Sequence, residues 1–213
     1  ILPHDRPTEN QAEPCKVLYL LHGLSDSAHG WTRYTAIERY AREYGYAVIM
    51  PEVSRSFYLD MKYGLKYFTY VSEELPALCQ KIFRLSGRRE DTFIAGLSMG
   101  GYGAMKCALT FPERYAAAAS FSGALDLEDV VARAEQDNLS DEFRGALGVE
   151  LEILPEDNLK ILADEFTAVP SVDRPELFIT CGKQDYIYEH SKSFSDYLNQ
   201  LLIDHRYHEW DGA

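Results

Sequence analysis

The sequence lacks a long apolar run. No stretch of its 213 residues approaches the roughly 20 consecutive apolar residues that a membrane-spanning helix needs. It is also poor in basic residues, with 21 Lys and Arg against 34 Asp and Glu and a formal net charge of −13. Nucleic acids and anionic membranes bind clustered Lys and Arg. The short basic run Arg88-Arg89 is followed by two acids. We therefore expect neither nucleic acid nor a membrane as a partner.

Cysteine is scarce and widely spaced. The four cysteines form no CxxC pair and no tight group with histidine, so the sequence predicts no metal site. The first residues, 1–10, are polar, contain two prolines and lack a charged segment followed by an apolar run. This composition is not that of an export signal, and we expect a reducing, cytoplasmic location.

Short apolar runs alternate with longer helical patterns, which is typical of an α/β protein with a mostly parallel sheet and helices on both faces. The length fits a single domain over residues 1–213. Six runs are predicted as strands: 16–21, 46–50, 91–97, 115–122, 177–181 and 206–210.

Two helices are predicted in the first half of the chain. One is expected to end at Gly45, because a set of apolar residues before it recurs at helical spacing: Trp31, Tyr34, Ile37, Ala41 and Tyr44. The other is expected over about residues 67–85, with a bend at Pro76.

A long insertion, at about 126–174, separates the fourth and fifth predicted strands. It is rich in acids and predicts short helices around 128–137, 141–147 and 158–166. An insertion of this length in an α/β sheet is typical of a cap over a functional site.

The segment Gly96-Leu97-Ser98-Met99-Gly100 matches G-x-S-x-G, the pattern of a nucleophilic serine on a sharp strand-to-helix turn. Glycines two positions away on either side leave room for the strained turn. A β-rich run precedes the motif and a helix rich in small residues follows it. This context predicts Ser98 as a catalytic nucleophile for acyl transfer.

Acyl transfer to a serine also needs two backbone N–H groups directed at the developing oxyanion. We expect one from Met99, directly after the nucleophile. The other is expected in the loop after the first strand, from Leu24 or, as a weaker alternative, from Gly23. His22, just before this turn, is interpreted as a residue that braces the loop rather than as a catalytic base.

The acid of a serine triad is expected in the turn after the fifth strand, where Asp185 lies. Asp126 and Glu189 are alternatives that do not follow a strand in this way. The base should be a histidine just after the last strand, and none of the chain's six histidines has that place: His4, His22, His29, His190, His205 and His208. We therefore expect the base immediately beyond Ala213.

These segments together resemble the esterase D family of α/β-hydrolases, and most closely its small bacterial acyl esterases, the tributyrin and cinnamoyl esterases. The resemblance rests on LYLLHGLSDSAHGW (18–31), PEVSRSFYLDMKYG (51–64), FIAGLSMGGYGAMKCAL (93–109), SFSGAL (120–125) and CGKQD (181–185). It implies an α/β-hydrolase fold, Ser98 and Asp185 in the triad, and the amides of Leu24 and Met99 in the oxyanion hole. It also implies a histidine after HEWDGA and additional structure at both termini.

The resemblance implies a serine carboxylesterase acting on short acyl or aryl-acyl esters, with no metal or other cofactor and with a small-molecule ester as its partner. We expect a substrate pocket that includes Gly23, Trp31, Phe57 and Tyr58, with Asp60 and Tyr63 nearby and the cap adding Phe143, Leu147 or Phe166. Three alternatives stay open: a feruloyl or acetyl esterase of plant polysaccharides, an S-formylglutathione hydrolase, and a binding protein without the catalytic histidine. Relatives of this kind often associate, so a homo-oligomer is a further expectation.

Overall fold

The computed structural model describes residues 14–213, and the prediction of no export signal concerns residues outside this range. Six parallel strands form one sheet in the order β2-β1-β3-β4-β5-β6. Their bounds differ from the predicted ones by at most two residues at either end: β1 Lys16–Leu21, β2 Tyr46–Ile49, β3 Thr92–Leu97, β4 Ala117–Phe121, β5 Glu176–Gly182 and β6 Arg206–Trp210. The predicted α/β architecture is confirmed.

The central strands are buried on both faces, as their near-continuous apolar runs predict. In β1, Val17 and Leu21 point to one face and Leu20 to the other, and all three are buried. Helix α5 (Met99–Thr110) packs on β3 and β4, and its residues 99–109 are all buried. The small residues of this helix let it approach the sheet closely.

The prediction of a single helix before Gly45 is wrong, because the chain forms two helices there, α1 (Gly30–Tyr34) and α2 (Ile37–Tyr44). Thr35 between them is extended (φ −134°, ψ 173°), and its hydroxyl accepts a hydrogen bond from the Ile37 amide at 3.2 Å. Threonine hydroxyls compete with the helix in this way for backbone groups. Gly45 does end α2 in the left-handed region, as predicted (φ 71°).

The helix predicted over residues 67–85 consists of α3 (Tyr67–Thr69), a π-helical turn (Tyr70–Glu74) and α4 (Leu75–Phe83). Pro76 has no N–H to donate to the carbonyl of Ser72 four residues earlier. The Arg114 guanidinium donates to that carbonyl instead, at 2.8 Å. The irregularity therefore lies in the turn before the proline.

The cap contains the three predicted helices, α6 (Leu127–Ala132), α7 (Ser140–Leu147) and α8 (Leu159–Phe166), although α6 ends earlier than expected. Helix α9 (Tyr188–Gln200) then precedes β6. The Tyr102 hydroxyl of α5 donates to the Asp157 carbonyl at 2.7 Å and joins the cap to this helix. Across residues 14–213, no helix has the length and apolar character needed to cross a membrane.

Candidate active site

Ser98 lies at the junction of β3 and α5 in a strained conformation, with φ 54° and ψ −116°. Residues other than glycine rarely adopt a positive φ, and the surroundings must hold them there. The Ser98 amide donates to the Phe121 carbonyl at 3.0 Å, and the Ser98 carbonyl accepts from the amides of Tyr102 and Ala124, both at 3.1 Å. These three hydrogen bonds hold the turn that the motif predicts.

The two motif glycines are required by the close approach of backbone segments. A Cβ on Gly96 would lie 2.2 Å from the Gly100 carbonyl oxygen, and a Cβ on Gly100 would lie 2.4 Å from the Leu21 carbonyl oxygen. Neither contact can be relieved by a side-chain rotation, because the neighbouring atoms belong to the backbone. The sharp turn at Ser98 therefore depends on glycine at both positions.

The loop after β1 lies directly beside Ser98. A Cβ on Gly23 would lie 3.6 Å from the Cβ of Ser98. Among the hydrogen bonds of residues 14–213, none uses the amide of Leu24 or of Met99 as donor. Two unused backbone donors next to a serine can stabilise a developing oxyanion.

His22 supports this loop, as the sequence predicts. Its side chain is buried; Nδ1 donates to the Gly23 carbonyl at 2.8 Å, and Nε2 accepts from the Val53 amide at 3.2 Å. The Glu52 carboxylate also lies 3.4 Å from Nε2. Because a backbone amide can only donate, we assign the proton to Nδ1 and treat the Glu52 approach as secondary. Both ring nitrogens are thus engaged in the loop.

Asp185 lies in the turn directly after β5 and is half-buried. One oxygen of its carboxylate, Oδ1, accepts a hydrogen bond from the Ile187 amide at 3.1 Å. Burial raises the pKa of the neighbouring Cys181 thiol, and the negative charge of Asp185 raises it further. Cys181 therefore stays a neutral thiol beneath the carboxylate.

Among residues 14–213, no histidine is hydrogen-bonded to Ser98 or Asp185. His190 lines the same cavity as both, but its Nε2 lies 2.8 Å from Asp129 Oδ2 and 3.0 Å from Arg133 Nη2. This cluster joins the cap helix α6 to α9. The other described histidines lie elsewhere. His22 supports the loop after β1 and His29 is exposed before α1. His205 bonds Ser195, and His208 stacks on Trp210.

The residues after β6 run along the turn that carries Asp185. The Trp210 carbonyl accepts from the Lys183 amide and the Gly212 carbonyl accepts from the Gln184 amide, both at 2.9 Å. Trp210 and Ala213 both line the cavity that contains Ser98. The backbone thus leads from the last strand to the serine.

The cavity has a volume of about 800 Å³ and two chemically different ends. Its buried wall is mainly apolar and is formed by Phe57, Ala124, Val130, Leu139 and Ile187. Its open rim carries the exposed aromatic residues Tyr34, Tyr186 and Trp210 and the acids Asp26 and Asp137. Arg133 is the one lysine or arginine that lines it within the described chain, and it is paired with Asp129.

The residues expected to form the pocket divide into two groups. Gly23 and Phe57 line the cavity. Trp31 and Tyr58 do not line it: the Trp31 Nε1 donates to the Leu21 carbonyl at 3.2 Å, and Tyr58 is fully buried.

The contribution of the cap also differs from the expected one. Phe143, Leu147 and Phe166 are buried in the core, and the cap lines the cavity instead through Val130, Arg133, Asp137 and Leu139. Asp60 and Tyr63 do not line it either. Tyr186 and Ile187 were missed, although their place directly after Asp185 is a signal for them.

The model of the Esterase family matches residues 1–212. A fluorophosphonate-binding serine hydrolase of Staphylococcus aureus, solved with substrate bound, is 37% identical with a TM-score of 0.88, over 99% of this chain and 82% of that one. An S-formylglutathione hydrolase of the same species is 37% identical with a TM-score of 0.79, over 99% and 83%. An acetyl esterase of Caldicellulosiruptor saccharolyticus is 27% identical over all of this chain and 84% of that protein.

Proposed function

Because the chain belongs to the Esterase family and is a serine hydrolase of carboxylic esters with an α/β-hydrolase fold, we propose Ser98 as its nucleophile and Asp185 as the acid of its triad. The observation that supports this assignment is the strained serine that shares one cavity with the aspartate. The esterase D resemblance seen in the sequence agrees with these relatives.

In the proposed reaction, Ser98 Oγ adds to the ester carbonyl carbon while a histidine takes its proton. The amides of Leu24 and Met99 stabilise the resulting oxyanion. The alcohol leaves with the proton from the histidine, and water then attacks the acyl-serine with the same histidine as base. Asp185 orients that histidine and stabilises its charged form. The chemistry needs no metal or cofactor.

We propose that the imidazole of this histidine lies beside the backbone that follows β6. Support comes from the path of the backbone after β6, because Trp210 and Ala213 already line the cavity of Ser98. His190 is a weaker candidate, since its Nε2 is engaged with Asp129 and Arg133.

The proposed substrates carry short acyl or small aryl-acyl groups. The cap segment 126–174 contributes Val130 and Leu139 to the buried wall of the cavity, and we assign this apolar wall to the acyl group. A small-molecule ester is thus the proposed partner.

Four free cysteines, all buried, support a reducing, cytoplasmic location. A homo-oligomer stays a prediction.

A second candidate is S-formylglutathione hydrolysis, which the solved S. aureus relative favours. The cavity rim argues against it, because glutathione derivatives carry two carboxylates while the rim carries Asp26 and Asp137. The lining arginine, Arg133, is neutralised by Asp129. We therefore rank uncharged esters first. Esters of feruloyl or acetyl groups on polysaccharides are a further alternative. The ferulic acid esterase neighbours support this alternative only through their fold.

The test is the intact mass of the full-length protein after treatment with a fluorophosphonate. One adduct is expected on the wild type and none on Ser98→Ala, whereas Ser122→Ala, which changes another serine of the cavity wall, should still be labelled. An adduct that persists in Ser98→Ala would reject Ser98. Comparing kcat/KM for p-nitrophenyl acetate, p-nitrophenyl octanoate and S-formylglutathione then ranks the substrate classes.

A further inference from the structure

The segment between β2 and α3 contains two adjacent aromatic residues in the left-handed region, Phe57 (φ 53°) and Tyr58 (φ 54°). Bulky side chains rarely adopt this conformation, and two in succession persist only where the surrounding structure holds them. Such strain is often found next to functional sites. Both residues are buried, so solvent-exposed loop geometry does not explain it.

Each of these two residues contacts one side of the proposed oxyanion hole. The Tyr58 hydroxyl donates to the His22 carbonyl at 3.0 Å. The Phe57 amide donates to the Met99 sulfur atom, Sδ, at 3.3 Å. The strained pair therefore connects the loop of Leu24 with the first residue of α5.

These contacts determine the direction of backbone donors. In a trans peptide the C=O of one residue and the N–H of the next point in opposite directions. The Tyr58 hydroxyl fixes the His22 carbonyl and thereby the Gly23 amide. The His22 imidazole in turn fixes the Gly23 carbonyl and thereby the Leu24 amide. Two successive peptide planes are thus held beside Ser98.

The Tyr58 ring is rigidly seated. A Cβ on Gly103 of α5 would lie 2.6 Å from the ring carbon Cγ, so the ring packs against bare helix backbone. Burial raises the pKa of Tyr58 well above its usual value, which keeps the hydroxyl protonated and available as a donor.

We propose that Tyr58 is a positioning residue for the oxyanion hole, and that the strained Phe57-Tyr58 pair aligns its two halves through His22 and Met99. The inference rests on the proposed function, which assigns the amides of Leu24 and Met99 to the oxyanion. Tyr58 touches no reacting atom, and its role is to keep the two donors at a fixed separation before the substrate binds.

The test compares Tyr58→Phe with Tyr102→Phe in the full-length protein. Both variants delete a fully buried hydroxyl that donates to a backbone carbonyl, but the Tyr102 hydroxyl bonds Asp157 of the cap. For p-nitrophenyl acetate, Tyr58→Phe should lower kcat by roughly 10- to 100-fold with KM changed by less than about twofold. Tyr102→Phe should lose a similar amount of thermal stability with no comparable fall in kcat.

A second variant tests the other contact. Met99→Leu keeps the volume and the backbone amide but removes the sulfur acceptor, and it should also lower kcat more than KM changes. If the wild type is labelled on Ser98 but Tyr58→Phe and Tyr102→Phe have equal kcat values, the positioning role of Tyr58 is overturned and the proposed function stands. A wild type that is never labelled on Ser98 would instead overturn the proposed function.

Discussion

Lys106 on α5 and Asp157, just before α8 in the cap, form an ion pair that is buried on both sides, with 2% and 11% of the two side chains exposed. The Lys106 ammonium also lies 3.9 Å from the centre of the Phe68 ring. The pair joins the helix that begins at the proposed nucleophile to the insertion that covers it.

Lys106→Met is expected to destabilise the protein by about 3–5 kcal/mol, because it leaves the Asp157 carboxylate buried without its cation. Urea denaturation measures the change. Lys192→Met is the matched control, since the Lys192–Asp196 pair is exposed and its removal should leave the free energy of unfolding almost unchanged. Similar losses in both variants would contradict the role of burial.

Gly100→Ala should disrupt the turn at Ser98, because the new Cβ would meet the Leu21 carbonyl at 2.4 Å. We expect a loss of at least about 1–3 kcal/mol, the range for overpacking, together with loss of fluorophosphonate labelling. Gly87→Ala provides the comparison, since its nearest neighbour is the end of the Gln80 side chain at 3.3 Å. Normal labelling of Gly100→Ala would show that the turn tolerates a side chain.

Stability should depend on pH through Asp91. Burial alone would raise its pKa, but hydrogen bonds from the Ser86 hydroxyl (2.7 Å) and the Arg88 guanidinium (2.8 Å) lower the pKa below the usual value. The folded state therefore binds this proton less readily than the unfolded state. Its stabilisation is present above the unfolded pKa of about 3.9 and is lost as the pH falls towards the lower folded pKa.

Asp91→Asn should accordingly lower the melting temperature at pH 7. The difference in melting temperature between this variant and the wild type should become smaller below about pH 4. Melting curves across the pH range measure this. The Asp141 side chain is 95% exposed, so Asp141→Asn should show neither effect. A difference in melting temperature between Asp91→Asn and the wild type that stays constant with pH would contradict a lowered pKa of Asp91 in the folded state.

Leu139→Ala should enlarge the buried end of the cavity and admit longer acyl chains. We expect the ratio of kcat/KM for p-nitrophenyl hexanoate over acetate to rise about tenfold, as for other apolar pockets. Leu147 is as buried as Leu139, at 6% against 7% exposed, but does not line the cavity. Leu147→Ala should therefore destabilise the protein without changing this ratio of kcat/KM values. An equal change of the ratio in both variants would show that the acyl group does not contact Leu139.

The parts that the sequence predicted correctly depend on local constraints. The six strands follow from short apolar runs, and the strained turn at Ser98 follows from glycines whose replacement would cause backbone collisions. The turn position of Asp185 follows from its place after a strand. Such features can be inferred from a few neighbouring residues.

The parts that could not be predicted depend on side-chain contacts, one local and the others between distant segments. The periodicity before Gly45 continues through Thr35, but its hydroxyl interrupts the helix. Tyr58 was expected in the pocket, yet its hydroxyl bonds the His22 carbonyl 36 positions away in the chain. Phe143 is one of the three residues expected from the cap, but it packs on Phe57 with ring centres 4.8 Å apart. Side-chain direction of this kind is decided by tertiary packing.

The hydrogen bonds from Ser98 to Phe121 and from Ser122 to Thr180 link β3, β4 and β5 directly below the cavity. The separation of Ser98 and Asp185 is thus set by two interstrand spacings of about 4.8 Å each. The cap enters after β4 and leaves before β5 without forming any of these links. Its length and composition can therefore diverge during evolution, or be exchanged by design, while the reacting groups keep their places.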